Sequence, residues 1–190
     1  MLAGVRSPSG REASLISRVV VMSGIMGGLS PLVLKRKWSP RRDRACMDIY
    51  VEVQKFYARQ LPLLEERRVE EFVETYTENG VFEHASGLFK LEGHAQMIGG
   101  ITPSLERYGD SVFRHWLGAL QVSEAGDELY VRYTAIVSVT DQNGRVTFEP
   151  SCTVNDVLVR RHGQLLVRSR VLQHDVADMS RVWAGQLDEK

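Results

Sequence analysis

Cysteine is scarce in this chain, and histidines are not arranged as metal ligands. Only Cys46 and Cys152 occur among the 190 residues, without a CxxC pair. A disulfide or zinc framework is therefore not expected, and both cysteines are predicted to be reduced thiols of a cytoplasmic protein. The five histidines show no HxH or HxxxH spacing, which argues against a metal site. We expect no metal and no bound cofactor.

Motifs for phosphate binding and for serine hydrolysis are also missing. The chain has no GxGxxG or GxxxxGK loop, so no nucleotide site is expected, and it has no serine nucleophile elbow. The net charge is zero, but residues 1–46 carry nine basic and two acidic residues, which leaves 15 basic and 22 acidic residues for the rest. An acidic body argues against nucleic-acid binding.

The most apolar stretch, VVVMSGIMGGLSPLVL, is too short for a membrane-spanning helix. It covers 16 residues, whereas a spanning helix needs roughly 20. Basic residues flank it on both sides, which is unlike a secretory signal. We interpret residues 1–47 as a basic, disordered extension, or as an artefact of start-codon choice, before a folded body of residues 48–178 and a tail of residues 179–190. The alternative is a basic tail that binds an acidic surface.

The first part of the body is predicted to be helical. Apolar residues recur every three or four positions from residue 49 onward, which is the pattern of an amphipathic helix: Ile49, Val53, Phe56, Tyr57, Leu61 and Leu64. Pro62 is expected to kink this helix. A second helix is predicted over residues 69–76, short strands over 81–85 and 87–92, and a third helix over 94–108.

The last third of the body is predicted to form an antiparallel meander. Four strand-like segments follow one another, with turn residues between them: RHWLGALQV, ELYVRYTAIVSV, VTFEPSCTVNDVLVRR and QLLVRSRVLQHD. Side chains on a strand alternate between its two faces. One alternating set is apolar with a few polar groups: Phe113, His115, Leu117, Ala119, Leu129, Val131, Tyr133, Ala135, Val137, Thr153, Asn155, Val157, Val159, Leu165, Val167, Ser169 and Val171.

This predicted face suits a small-molecule pocket, in which an apolar lining gives affinity and a few polar groups give orientation. The alternative is a solid core whose polar groups are hydrogen-bonded internally. In either case, helices on one face of an antiparallel sheet make an α+β domain.

The order of elements resembles the nuclear-transport-factor-2-like superfamily over residues 48–178. The segments that carry the resemblance are YTENGVFEHASG, the helix start at Gly93 to Ile98, RHWLGAL and VLVRRHGQLLVRSRVLQHD. Within the superfamily, the chain is similar to the SnoaL-like and ring-hydroxylating-dioxygenase β-subunit-like branch. The resemblance implies a cone-shaped, cystatin-like roll, in which a curved antiparallel sheet packs on about three N-terminal helices and encloses a pocket. It also implies a homodimer formed through the sheet.

Three residues are predicted to be catalytic: His115, Tyr133 and Asn155. An imidazole on the concave face can act as general acid or base near neutral pH, and His115-Trp116-Leu117-Gly118 matches a histidine strand of scytalone-dehydratase-like relatives. Asn155 and Thr153 match pocket positions of those relatives, whereas Tyr133 replaces a second histidine. A Tyr hydroxyl and an Asn amide can polarise a ketone oxygen. The alternative is that all three residues are structural.

Further residues are predicted to line the substrate pocket, and these are Tyr57, Leu64, Glu65, Tyr76, Glu83, Trp116, Thr153 and Ser169. Glu65 ends the first helix where the superfamily often places a pocket acid. It also begins a charged run, Glu65-Glu66-Arg67-Arg68, and such runs usually face solvent.

The leading functional hypothesis is a cofactor-independent cyclase or dehydratase. It would act by general acid/base catalysis on a polyketide or related secondary-metabolite intermediate. The alternative is a non-catalytic ligand-binding protein or a β-subunit-like partner of an oxygenase. Epoxide hydrolysis is less well supported, because the Arg-x-Asp strand of limonene-epoxide-hydrolase-like relatives is replaced by Arg132-Tyr133-Thr134.

Overall fold

Three helices form one layer of the fold. The computed structural model describes residues 40–85 and 89–176, with side chains from Met47 onward. Helix α1 spans Pro40–Glu65 and continues through Pro62, α2 spans Val69–Glu74, and α3 spans Gly93–Glu106. Residues 40–47 thus belong to α1, while the remainder of the predicted N-terminal extension and the C-terminal tail lie outside the described residues. The described helices include none that is long and apolar enough to cross a membrane.

The second layer is a sheet of seven strands. They are β1 (Tyr76–His84), β2 (Phe89–Glu92), β3 (Val112–Ala125), β4 (Glu128–Thr140), β5 (Val146–Phe148), β6 (Cys152–Arg161) and β7 (Gln164–His174). Their order is β2-β1-β7-β6-β4-β3, and β5 pairs with β4 beside this path. The predicted antiparallel meander corresponds to β3, β4, β6 and β7. Strand β1 adds to it in parallel with β7.

Two predicted boundaries in the sheet are wrong. The segment predicted as one strand from Val146 to Arg161 is two strands, separated by a bend at Glu149, Pro150 and Ser151. Strand β1 begins at Tyr76, five residues before its predicted start, and its pairing with β7 shifts between Tyr76 and Val81. At this irregularity, a Cβ on Gly80 would lie 3.0 Å from the Thr77 carbonyl oxygen, so only glycine fits without a shift.

The inward face of β3 and β4 is largely as predicted. Phe113, Leu129, Val131, Tyr133 and Ala135 are buried. The alternation in β3 ends at a bulge between Gly118 and Gln121, where Ala119 adopts a positive φ of 50°. Because a bulge adds one residue, the inward positions after it are Leu120 and Val122. The prediction that Ala119 points inward is therefore wrong.

The predicted face of β6 is wrong for Thr153, Asn155 and Val157. Tyr133 pairs with Val154 and Ala135 with Cys152, and directly paired residues share a face. The inward residues of β6 are accordingly Cys152, Val154, Asp156 and Leu158. The register shift after Val157 lies in the partner strand β7 and leaves the alternation of β6 regular from Cys152 to Leu158, so the predicted face was the opposite one. Because Val159 is buried as well as Leu158, this apolar end of the strand fits either face.

The same irregularity reverses the second half of β7. Val157 pairs with Ser169 and Leu158 pairs with Val167, which leaves Arg168 as an extra residue. Leu165 and Val167 point inward as predicted. Beyond the bulge, Arg170, Leu172 and His174 point inward, so the inward positions predicted for Ser169 and Val171 are wrong. Arg170, which the predicted alternation would place on the outward face between Ser169 and Val171, is buried.

Candidate functional site

The helices and the concave face of the sheet enclose a cavity. Its volume is about 110 Å³, and most of its lining is apolar. A wider cleft of about 660 Å³ lies between α1 and the first half of β3. Leu61, His115 and Leu117 line both spaces. His115 therefore lies at the junction of the inner cavity and the outer cleft.

Glu65 fixes the position of His115. Its Oε1 accepts a hydrogen bond of 2.8 Å from the backbone N–H of His115 and lies 3.5 Å from Nδ1 of the same residue. Strand β3 is the edge of the sheet, so this N–H would otherwise be unpaired. Glu65 Oε2 lies 3.3 Å from Arg114 Nη1. The last turn of α1 thus holds the backbone of His115 and places a carboxylate beside its ring.

The charge of Glu65 also sets how the imidazole can act. Burial raises the pKa of Glu65, but its interactions with His115 and the charge of Arg114 outweigh this effect, so its pKa lies below its usual value. The group is a carboxylate at neutral pH. A carboxylate beside Nδ1 favours the tautomer with its proton on that nitrogen. The Nε2 lone pair can then accept a proton.

Tyr133 presents a hydrogen-bond donor to the cavity. Its side chain lines the cavity and is 3% exposed. Burial raises its pKa well above the usual value, so the hydroxyl stays protonated. Among the described residues the Tyr133 hydroxyl makes no hydrogen bond, whereas that of the adjacent Tyr57 donates to Asp156 Oδ2 at 2.8 Å. Tyr133, and not Tyr57, can therefore donate to a ligand oxygen.

A buried ion pair closes one wall of the cavity. Arg170 Nη2 donates to Asp156 Oδ2 at 2.6 Å and to Gln60 Oε1 at 2.8 Å. The Arg170 and Asp156 side chains are 4% and 0% exposed. This network was not predicted from the sequence. Its signals are Gln60 on the buried face of α1 and Asp156 within an apolar strand.

A second polar cluster, also not identified from the sequence, contains Arg107, Tyr108 and Glu149. Glu149 Oε1 accepts hydrogen bonds from Arg107 Nη2 at 2.9 Å and from the Tyr108 hydroxyl at 2.8 Å. All three residues line the cavity. The only sequence signal is that Glu149-Pro150 interrupts a strand-like segment.

Two histidines meet at the cavity wall. His84 Nδ1 lies 3.2 Å from His174 Nε2. Burial, aided by the electrostatic effect of His174 and Arg107, lowers the pKa of His84 to about 3. Burial likewise lowers the pKa of His174. The pair is therefore neutral at neutral pH.

Because His84 is buried in its neutral form, the stability of the protein is expected to depend on pH. An unfolded histidine takes up a proton near pH 6.5, but folded His84 does so only near pH 3. Since the unfolded state binds more protons between these values, the free energy of unfolding should fall as pH decreases. The slope is about 1.4 kcal/mol per pH unit, or about 2 kcal/mol between pH 6.5 and 5.

Urea denaturation at pH 7, 6 and 5 measures this effect. His84→Phe should flatten the pH dependence by about one proton, whereas His162→Asn, at an exposed turn, should leave it unchanged. Equal slopes for wild type and His84→Phe would contradict the assigned cause.

The structure brings together only part of the predicted site. His115, Leu64 and Tyr133 line the cavity, and Glu65, Tyr57 and Trp116 line the adjoining cleft. The Trp116 indole extends over the outer face, where Nε1 donates to Ser138 Oγ at 2.8 Å.

The other predicted positions lie elsewhere. Tyr76 is buried in the core beside Phe72 and Phe82. Glu83 lies between the inward residues Phe82 and His84, and therefore faces outward. Thr153, Asn155 and Ser169 also face outward, because the register of β6 and β7 differs from the predicted alternation.

Comparisons with solved structures gave several close matches, although no curated protein matches the chain. Aln2 from a Streptomyces species is 34% identical, with 72% of this chain and 96% of Aln2 covered and a TM-score of 0.64. A Catenulispora acidiphila protein in complex with S-DNPA is 34% identical, covers 73% and 98% of the two chains, and has a TM-score of 0.63. ActVI-ORFA from Streptomyces coelicolor is 33% identical, with coverages of 67% and 98% and a TM-score of 0.60.

More distant structures establish the fold alone. One is an NTF2-like protein with a cystatin-like fold from Novosphingobium aromaticivorans, 21% identical over 75% of this chain and 92% of that chain, with a TM-score of 0.59. Another is the β subunit of a putative aromatic-ring-hydroxylating dioxygenase from the same species, 15% identical over 70% and 92%, also with a TM-score of 0.59.

The predicted α+β cystatin-like architecture is confirmed by these matches. A family model for the SnoaL-like domain matches residues 47–171, which include α2, α3, all strands except the end of β7, and every residue of the His115 site. The chain therefore belongs to the SnoaL-like domain family.

Proposed function

We propose that this protein is a cofactor-independent cyclase or dehydratase in which His115 transfers a proton. Its substrate would be an oxygenated fused-ring intermediate of polyketide or related secondary metabolism. The observation that carries the proposal is the placement of His115 at the cavity junction, with the Glu65 carboxylate 3.5 Å from Nδ1. The complex of a 34% identical relative with S-DNPA supports a small organic ligand.

The reaction begins with proton transfer from carbon to His115. Nε2 accepts a proton from the carbon next to a ketone, and the C–H electron pair moves to the carbonyl oxygen as an enolate forms. The Tyr133 hydroxyl donates a hydrogen bond to that oxygen and stabilises its developing charge. Glu65 stabilises the imidazolium that results.

The enolate can then react in one of two ways. In a dehydration, it expels a β-hydroxyl group, which leaves as water with the proton from the imidazolium. In a cyclisation, the enolate carbon bonds to a second carbonyl carbon, and the new alkoxide takes the same proton. Both routes return His115 to its neutral form without an oxidant or reductant.

Solvent exchange of a simple ketone tests the proposed proton transfer. In D₂O, the wild-type protein should accelerate the loss of the α-proton NMR signal of 1-tetralone, and the rate should saturate with ketone concentration. Binding without exchange would favour the alternative of a non-catalytic ligand-binding protein. If the protein neither bound 1-tetralone nor catalysed its exchange, the proposed function would be contradicted.

An apolar patch on the outer face of the sheet supports the proposed homodimer. Val112, Trp116, Val146 and Phe148 are 50%, 59%, 50% and 61% exposed. The register aligns Val112 and Val146 with Thr140, and Phe148 with Ser138, so these side chains form one patch. Apolar patches of this kind mark interaction surfaces.

Sedimentation velocity should show that the wild-type protein is a dimer. Phe148→Ser, which makes the apolar patch more polar, should weaken dimerisation. A monomeric wild-type protein would contradict the homodimer. The cytoplasmic location stays a prediction.

A further inference from the structure

Glu149 is a buried carboxylate on the cavity wall that the proposed proton transfer does not use. Glu149 is 6% exposed, and its Oε1 accepts hydrogen bonds from Arg107 and Tyr108. Its Oε2 makes no hydrogen bond to any residue in the described ranges 47–85 and 89–176. Since each carboxylate oxygen can accept hydrogen bonds, Oε2 leaves an acceptor available to a bound molecule.

The charges around Glu149 favour a neutral partner. The guanidinium of Arg107 forms an ion pair with Glu149 at 2.9 Å. The Tyr108 hydroxyl donates a hydrogen bond to the same carboxylate, and His84 is neutral. An ionised ligand group would bring a further charge into this buried position, which is unfavourable. A ligand hydroxyl adds none, and its bond to a carboxylate is stronger than a bond between neutral groups.

The sheet places Glu149 opposite His115 across one strand. Val137 of β4 pairs with His115 on one side, and its carbonyl accepts the backbone N–H of Glu149 on the other side at 2.9 Å. Both side chains line the same cavity. Two strand spacings separate their backbones by about 10 Å. A fused-ring ligand between them would contact His115 at one end and Glu149 at the other.

We infer that Glu149 is a ligand-binding residue that accepts a hydrogen bond from a ring hydroxyl of the substrate, distant from the ketone at which His115 acts. This inference rests on the proposed function and narrows the substrate class to hydroxylated fused-ring ketones. Arg107 and Tyr108 are positioning residues that fix the carboxylate for that contact.

Binding of two probes that differ by one hydroxyl tests the role of Glu149. Isothermal titration of the full chain should show that 6-hydroxy-1-tetralone binds about 10- to 100-fold more tightly than 1-tetralone, because the second ligand leaves a buried carboxylate oxygen unpaired. Glu149→Gln should reduce this preference to about threefold, since the acceptor is no longer charged.

A second variant tests the role of Glu149 in case Glu149→Gln does not fold. In Arg107→Met/Glu149→Met, both members of the ion pair are replaced by apolar groups, so neither is left as a single buried charge. This variant should bind the two probes equally. The thermal unfolding midpoint of each protein establishes that it is folded when titrated.

Glu128→Gln is a matched control. Glu128 is likewise bound by an arginine, Arg168, and by a tyrosine hydroxyl, Tyr130, but it lies outside the cavity. The hydroxyl preference should therefore be unchanged.

The outcomes separate the two proposals. If wild type binds both probes equally, or if both Glu149 variants keep the preference, Glu149 is not the hydroxyl site, while the proton-transfer proposal stands if exchange of 1-tetralone occurs. If wild type binds neither probe and catalyses no exchange, the proposed function fails as well.

Discussion

Replacing His115 with alanine is expected to slow the α-proton exchange of 1-tetralone by about 10²- to 10⁴-fold, the usual contribution of a positioned general base. Among the residues that the structure describes, no other group at the cavity junction can replace it. Glu65 is committed to the His115 backbone and to Arg114, and Tyr133 stays protonated because burial raises its pKa. His115→Ala is therefore expected to lower the exchange rate.

The backbone contact of Glu65 makes His115→Ala interpretable. Because Oε1 accepts the N–H of residue 115, this bond survives when the side chain is removed, and the edge of β3 stays held by α1. Affinity for 1-tetralone, measured separately, should change much less than the exchange rate. His162→Asn, at an exposed turn outside the cavity, is the control and should exchange as fast as wild type. A wild-type rate in His115→Ala would rule out the proposed base.

Glu65→Gln separates positioning from proton transfer in the same assay. The amide can still accept the His115 N–H, but it carries no charge to stabilise an imidazolium or to fix the ring tautomer. The exchange rate should fall by about 10- to 100-fold, less than in His115→Ala, with ketone affinity unchanged. Glu66→Gln, one residue further and exposed, should have no effect.

The parts of the fold that alternation predicts well are the regular ones. In β4, every second residue from Leu129 to Ala135 is buried, as the alternation predicts. The amphipathic pattern of α1 likewise identified the residues that cover the sheet, including Phe56, Tyr57 and Leu64. These predictions succeed because one periodicity runs through the whole element.

The predicted site fails where one extra residue interrupts the alternation. The bulge at Arg168 turns Arg170 inward and Ser169 outward, and no local composition signals it, since Val157, Leu158 and Val159 are all apolar. Asn155 was misplaced because the wrong face of β6 was taken as the inward one: its neighbours Val154 and Asp156 point inward. A register is a property of paired strands, so a single strand's sequence does not determine it.

The polar clusters were missed for a different reason. Arg107 and Tyr108 directly follow α3, whereas Glu149 lies in the bend after β5. Glu149 is 42 residues from Arg107 and 41 residues from Tyr108 in the chain. His84 and His174 are 90 residues apart. Neither the Arg107 cluster nor the histidine pair has a spacing motif in the sequence, because tertiary packing and not local structure brings these residues together.

The inward turn of Arg170 leads to the largest expected effect on stability. Arg170→Met should lower the free energy of unfolding by about 3–5 kcal/mol, because it leaves the fully buried Asp156 carboxylate without its counter-ion. That is a large share of the roughly 5–15 kcal/mol that stabilises an ordinary domain. Tyr57 would still donate to Asp156, but a single neutral donor does not balance a buried charge.

The double variant Asp156→Asn/Arg170→Met separates the unpaired charge from the lost packing. It removes both charges and keeps a side-chain oxygen for the Tyr57 hydroxyl, so it should recover more than half of the loss seen in Arg170→Met. Arg168→Met provides the contrast on the same strand: its partner Glu128 is on the surface, and exposed pairs contribute about 0–1 kcal/mol. Urea denaturation at pH 7 measures all three variants. If Arg170→Met cost no more than Arg168→Met, the Asp156 charge would have to be solvated in the folded protein, and the inward face assigned to the second half of β7 would be wrong.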